Sequence, residues 1–512
     1  MPEKEKEFGF IRSILWPVHK SEVKKVTSIL GLMFFLCGSY NILRNLKDTI
    51  ILTAKHSGAE VIPFLKVWGM LPGAILATLL YTRLARRFSK ETVFYITLGL
   101  FLSYFLFFAF FLHPNSDSLH LDSLGTWMTA NLPAGFKGLI AMIRNWTFTS
   151  FYVISELWAP VMLGMLFWGF VNDHTKVSEA KRTYGILNIG SNLAPILGGG
   201  IGILCAQAFS FSVSGGSSEE AWSQTLINLT LTLTVLGLTS AAIYYWINRN
   251  ILNIEGTSSK ESVEMEKKEK EKISVRESIR YILKSKYLTC LALIFIGYNI
   301  AINVTDVLWK AQLKSFFTDP NEMLAHMNAI TIGIGVIGTT GGALFSFMIN
   351  RVGWTFTALL TPAVMSVMAI GFFVFLFAGD ALTPMSLALL GTTPLALTVY
   401  FGSLQYALSK GCKYSVFDAS KELAFLPLPT TSKTKGKAAI DGLGSAVGKS
   451  GASITYQGLI IGLGSVAAST PYVAVILFIV LAAWIYSVFS LGALFKKEND
   501  AAEAIASSKV TS

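Results

Sequence analysis

A chain of 512 residues with 52% hydrophobic and only 14% charged residues is far more apolar than soluble domains, in which charged residues make up roughly 25%. That composition excludes an ordinary water-soluble enzyme. The net charge of +11 needs no nucleic-acid partner once its distribution along an all-α integral membrane protein is followed.

Residues 1–25 are polar and basic, with Phe8, Ile11, Leu15 and Val18 at roughly helical spacing. They predict a short amphipathic helix on the inner membrane surface, with no cleavable signal peptide. Twelve apolar stretches follow, at about 26–43, 61–81, 92–112, 147–171, 184–207, 224–247, 287–309, 328–349, 355–378, 385–408, 438–466 and 473–495. Each approaches the ~20 residues that span a bilayer as a helix, and their glycines suit close helix packing.

The connections alternate in charge. Segments 1–25, 82–91, 172–183, 248–286, 350–354, 409–437 and 496–512 hold 33 of the 42 Lys and Arg residues, and the alternate connections hold 7. Lys66 and Lys449 lie inside apolar stretches. Positive charge stays on the cytoplasmic side, so both termini are expected there, next to anionic headgroups.

The segment 248–286 mixes Lys and Glu (EKKEKEK, 266–272) without an apolar period and predicts a solvated linker. On either side of it the text repeats. GSYNI ending at Ile42 returns as GYNI ending at Ile300, Arg87 corresponds to Arg351, and Lys181 with Gly190-Ser191 corresponds to Lys435 with Gly444-Ser445. The three offsets are nearly equal, which predicts two parallel six-helix halves. The expected organisation is a surface segment (1–25), a first half (26–247), the linker (248–286), a second half (287–495) and a cytoplasmic tail (496–512). This is a major-facilitator-like plan with a site between the halves near the midplane.

Two motifs mislead. GLGSAVGKSG (442–451) has Leu443 where a phosphate-binding loop needs glycine, and it begins a membrane stretch rather than following a strand. GIGVIG (333–338) lies inside the eighth stretch, where small residues serve packing. Four isolated cysteines and six scattered histidines show no metal spacing, so neither metal nor cofactor is expected.

Ionisable residues at membrane depth are costly and mark ligand or ion paths. Lys437, Asp441, Ser445 and Lys449 recur every four residues and form one polar stripe. Lys437 and Asp441 are placed to pair near the cytoplasmic end, with Lys449 about 12 Å deeper at 1.5 Å per residue. The alternative for Lys449 is a lysine snorkelling to the interface. The first stretch continues through ILRNLKDTIILT, which sets Arg44 and Lys47 on one face and Asp48 within reach of Arg44. Cations from opposite halves suit a polyphosphate, Arg as a fork and Lys as a point charge. Alternatively, Arg44 and Lys47 mark an ordinary helix end.

Glu156 and Asp306 are candidate latches between halves or proton carriers, as Asp441 is a candidate gating acid. Asp306 could instead simply pair with Lys310, four residues later. Tyr184, Asn188 and Asn192, at four-residue steps, predict a hydrogen-bonding cavity wall. Tyr40, Tyr298 and Trp158 are candidates for stacking on a base or for packing.

At these residues the chain resembles the nucleotide transporter family of ATP/ADP translocases of plastids and obligate intracellular bacteria. The matching text is LRNLKDTIILT (43–53), GAEVIPFLKVWG (58–69), RNWTF (144–148), SELW and LFWGFVN (155–172), WKAQLK (309–314), YSVFDASKELAFLPL (414–428), and KGKAAID with GKSG (435–451). The resemblance implies nucleotide movement without hydrolysis, hence no enzyme, with Lys47, Glu156, the acid at 306 and Lys449 as functional positions. Exchangers of the family commonly read LRDTKDT and LVEVTWK, where this chain has Asn45 and Asp306. Its text is closer to the chlamydial-type branch that imports nucleoside triphosphates with protons.

The expectation is therefore a nucleotide carrier of a bacterial inner membrane, taking up nucleoside triphosphate with protons. Exchange of ATP for ADP is the alternative, and a major-facilitator carrier of another organic anion is a further one. A membrane-embedded transferase would require a catalytic cluster, and the longest outer connection, 113–146, has none.

Overall fold

The computed structural model describes residues 18–175, 177–212, 217–252, 275–429, 436–437, 439–441 and 447–510. The predicted surface helix before Val18 and the centre of the linker, 253–274, lie outside the described residues. Every regular element described is helical. The long ones are α1 (Val23–Thr53), α2 (Val61–Arg87), α3 (Lys90–Leu112), α4 (Trp146–His174), α5 (Val177–Ser212), α6 (Ser218–Ile251), α7 (Lys286–Phe316), α8 (Pro320–Phe377), α9 (Pro394–Ala424), α10 (Ala452–Leu463) and α11 (Val466–Val510). Among the described residues nine helices are long and apolar enough to cross a membrane, or ten if the bent pair 381–390 and 394–424 forms one span.

The count differs from the twelve apolar stretches for local reasons. The 58 residues of α8 contain two stretches that meet at Gly353, whose φ of 80° breaks the helix inside the predicted connection 350–354. Its start is capped by Asp319, whose carboxylate accepts from the N–H groups of Asn321 and Glu322. The eleventh stretch is described only as 439–441 and 447–466, the latter through a wide turn, Val447–Gly451, that runs into α10.

Gly353→Ala should lower the thermal unfolding midpoint of the solubilised protein by a few degrees. A backbone at φ 80° and ψ 173° is essentially reserved for glycine and costs an L side chain of order ~1–3 kcal/mol, and nothing lies within 4 Å of the added Cβ, so clash adds nothing. An unchanged midpoint in fluorescence-detected unfolding would show that the kink relaxes.

The tenth stretch, expected at 385–408, is corrected. A helix at Gly379–Leu390 ends on Gly391 at φ 64°, and α9 starts afresh after Thr393, whose hydroxyl accepts from Ala396 N–H. The two pieces meet at 75°. α9 then runs on to Ala424, so residues expected in the polar connection 409–437 stand on a helix. The linker also ends in order, as the helix Val275–Lys284, with Ile282 buried.

Two hydrophobic clusters hold the molecule together. One collects buried side chains from Ile29 to Ile251 and adds Leu324. The other collects Ile282 to Leu491 and reaches across to Ile51, Leu52, Val61, Ile62 and Leu65 at the α1–α2 turn. The halves of the sequence are thus fused at the end carrying connections 54–60 and 113–145, where lysine and arginine are scarce. There α10 packs on Val61–Phe64 and on Ala134–Phe136. Gly135 lies directly against the backbone of Ile460 and Ile461, so any side chain there would force α10 away. From Met70 to Arg87, α2 has no buried residue.

Candidate substrate cavity

Between the two clusters lies a cavity of about 360 Å³ walled by α1, α2, α4, α7, α9 and the start of α10. Among the described residues its lining carries six cations, Arg44, Lys47, Lys66, Lys310, Lys410 and Lys413, against three carboxylates, Asp48, Glu156 and Asp306.

All three carboxylates are engaged by three of those cations. Lys47 and Asp48 are neighbours on α1 whose side chains meet at 2.9 Å, and Lys47 also reaches Glu156 of α4 at 3.1 Å. The other Asp48 oxygen takes Lys310 of α7 at 2.8 Å. Lys310 returns to Asp306 at 3.0 Å, one helical turn back, and Asp306 lies 3.7 Å from Lys66 of α2. Lys66 also donates to Asn303 Oδ1 at 2.8 Å. The run Glu156, Lys47, Asp48, Lys310, Asp306, Lys66 alternates in sign from end to end. The side chains of Lys47, Asp48 and Lys310 are each 4% exposed, and charges that far from water are tolerable only when paired in this way. Lys47 further sits 3.9 Å over the Tyr152 ring. The network ties α1 and α2 to α7 through Asp48–Lys310 and Asp306–Lys66 contacts.

Wide, π-helical turns place several of these groups. Leu65–Gly69 carries Lys66, Lys413–Phe417 carries Lys413, and Ala159–Phe167 begins three residues after Glu156. An inserted residue rotates everything after it around the helix, and such turns recur at functional sites.

Several sequence expectations are corrected. Arg44 does not pair with Asp48, because Lys47 and Lys310 occupy both its oxygens; Arg44 donates to Tyr406 Oη at 3.2 Å instead. Lys437 and Asp441 do not pair either. Lys421 takes Asp441 at 2.7 Å, and Lys437 takes Glu422 at 2.5 Å. Asp441 is absent from the cavity lining. Tyr184 donates to Asn172 at 2.5 Å, and Asn192 packs on Gly338 of α8, so neither walls the cavity. Asn188 stands on α5, with its side chain outside the described residues. The same holds for Lys449, whose turn is described and whose neighbour Ser450 lines the cavity. Trp158 is core, donating from Nε1 to Leu36 O at 3.1 Å, whereas Tyr40 and Tyr298 do line the cavity.

Asn45 is also placed unexpectedly. Its amide donates to Asn328 Oδ1 at 2.7 Å and to Thr331 Oγ1 at 2.8 Å on α8. The departure from the exchanger text at this position therefore acts on the seam between α1 and α8. GKSG (448–451) lies in a helical turn continuous with α10, not in a loop between a strand and a helix as a phosphate loop does.

Sequence reasoning passed over Lys66, Lys310, Tyr406, Lys410 and Lys413. Lys66 was visible as a cation within an apolar stretch. Lys310 was counted with a connection because α7 runs to Phe316, beyond its apolar text.

Among the described residues, helices long and apolar enough to cross a membrane surround a charge-lined cavity. The structure superposes on a D-xylose–proton symporter with a TM-score of 0.54, covering 92% of this chain and 96% of that one at 14% identity, which establishes the shared fold. Residues 1–495 match the family model described as TLC ATP/ADP transporter. The chain is 41% identical to ADP,ATP carrier protein 1 of Chlamydia muridarum, over 99% of its own length and 96% of the relative's. It is 39% identical to the chloroplastic ADP,ATP carrier protein 1 of Arabidopsis thaliana, over 94% of its length and 75% of the relative's. The chain belongs to the TLC ATP/ADP transporter family.

Proposed function

We propose that the protein carries nucleotides across a bacterial inner membrane by alternating access, importing nucleoside triphosphate with protons. Both termini lie in the cytoplasm in this reading, and the halves 26–247 and 287–495 rock about the cavity with the linker 248–286 between them. The observation that supports a polyanionic substrate is the excess of cations over carboxylates around the cavity, six against three among the described residues. Arg44, Lys47 and Lys449 are the proposed phosphate contacts. Membership of a family whose relatives are named ADP,ATP carriers supports the nucleotide.

Electrostatics sets the coupling problem. Bringing a triphosphate of charge near −4 inward against an inside-negative potential costs on the order of 9 kcal/mol per 100 mV. Exchange for a diphosphate cancels most of that charge, and net uptake must bring cations along. Glu156 is the acid best placed to take a proton. Its side chain is 37% exposed and, among the described residues, pairs with one cation, Lys47, whereas Asp306 is 9% exposed between two. A phosphate that captures Lys47 releases the Glu156 carboxylate to accept a proton.

The deciding experiment is uptake of labelled ATP, GTP, UTP, CTP and NAD into expressing cells, with and without preloaded nucleotide and a protonophore. Accumulation without preloading, abolished by the protonophore, is expected. Uptake that ignores the protonophore and requires internal nucleotide would establish exchange instead. Purified protein in liposomes should also move ATP without releasing phosphate, because GKSG is built as a helical turn. Phosphate release in step with transport would overturn a secondary carrier.

A further inference from the structure

Lys47, Lys66 and Lys310 are neutralised, three against three, by Asp48, Glu156 and Asp306. Arg44 differs. It is buried at 8% exposure, and among the described residues it pairs with no carboxylate. Of the five N–H groups of a guanidinium, one is used among the described residues, in the bond to Tyr406 Oη. A buried guanidinium without a counter-charge is expensive unless an anion joins it.

The Tyr406 ring gathers a second cation. Arg44 Cζ and Lys410 Nζ each lie 5.6 Å from its centroid, one brought by α1 and the other by α9. The ring is held firmly: Trp309 of α7 stacks on it at 4.6 Å, and Trp309 Nε1 donates to Ser403 Oγ at 3.0 Å. One turn further along α9, Lys413 is held by Asp418 at 2.9 Å. A rigid phenol carrying a fork from one half and a point charge from the other has the donor set that phosphate groups require.

We infer that Arg44, Tyr406 and Lys410 form the docking subsite for the phosphate chain of the nucleotide, occupied before Lys47 is released from its carboxylates. The inference rests on the nucleotide reading and assigns it two further contact residues, Tyr406 and Lys410. Arg44 offers its free N–H groups in a plane. Tyr406 Oη, accepting from Arg44, directs its own O–H at the anion, and Lys410 closes the third side. Lys47 stands one turn along α1 from Arg44, so a chain docked on Arg44 extends naturally towards it.

The test is equilibrium binding of ATP, ADP, AMP and adenosine to the purified full-length protein, wild type against Lys410→Gln and Tyr406→Phe. Lys410 is only partly buried, so Lys410→Gln should retain the wild-type unfolding midpoint; Tyr406→Phe keeps the ring but removes a hydrogen bond from buried Arg44 and should lower the midpoint modestly. Wild-type affinity is expected to rise from adenosine to ATP. Lys410→Gln should lose on the order of tenfold to a hundredfold in ATP affinity, the scale of one charged hydrogen bond, while leaving adenosine unchanged. Lys410→Arg should recover part of the loss. Variants that keep every wild-type increment from adenosine to ATP would overturn the subsite and leave nucleotide transport standing. A wild-type protein that binds adenosine and ATP equally would sink the nucleotide reading itself, and the subsite with it.

Discussion

Lys47→Ala should weaken nucleotide uptake by roughly thirtyfold or more while the protein still inserts in the membrane. Lys47 is the hinge of the charge run, shared by Asp48 and Glu156 with its own side chain 4% exposed. Removing one partner of a buried pair costs about 3–5 kcal/mol because the other charge stays behind. Here Asp48 keeps Lys310, and Glu156 can turn to the cavity, so the loss should fall on transport more than on folding. A lost phosphate contact of about 2–5 kcal/mol corresponds to roughly thirtyfold to several thousandfold in affinity. Uptake of labelled ATP, normalised to surface-labelled protein, measures it. Wild-type affinity in this variant would remove Lys47 from the site. Lys47→Arg should rescue only in part, since the guanidinium has a different reach and cannot sit over Tyr152 in the same way.

The second large effect concerns the two outer acids of the run, which should separate. Glu156→Gln should lose protonophore-sensitive accumulation yet retain exchange between internal and external nucleotide. An amide keeps the shape and hydrogen bonding of the acid but cannot titrate, and exchange needs no net proton movement. Asp306→Asn should depress uptake and exchange together, because Asp306 bridges Lys310 and Lys66 across the two halves. Retention of proton-driven accumulation by Glu156→Gln would exclude it as the carrier. The reverse pattern, with only Asp306→Asn losing accumulation, would move the proton to Asp306.

Some of this was legible because the bilayer writes strongly on a sequence. Long apolar stretches, alternating basic connections and a repeat across residue 260 are consequences of solvation and topology, and they do not depend on which helices touch. Rare ions at membrane depth are visible for the same reason. Arg44, Lys47, Glu156 and Asp306 could all be singled out, and the structure brings all four to one cavity. Helical spacing also marked Asp306 and Lys310, which do pair at 3.0 Å.

Spacing failed wherever a tertiary partner competed with a neighbour on the same helix. Arg44 and Asp48, or Lys437 and Asp441, are one turn apart, yet Lys310 and Lys421 from other helices reach the acids first. An exposed pair at that spacing is worth only a few tenths of a kcal/mol, too little to resist a better-placed cation. The wall predicted on α5 failed because periodicity reports that a face is polar without reporting what it meets; Asn192 meets Gly338 of α8.

By itself the sequence determined that this is a membrane carrier and its family, since those follow from hydropathy, charge bias and matching text. Only the tertiary structure decided how the charges are apportioned. It closed three lysines and three carboxylates into one alternating run, left Arg44 with Tyr406, and extended α9 so that Lys410 and Lys413 line the cavity. The physical reason is that pairing depends on distances of about 3 Å between helices, and no one-dimensional pattern encodes which helix faces another.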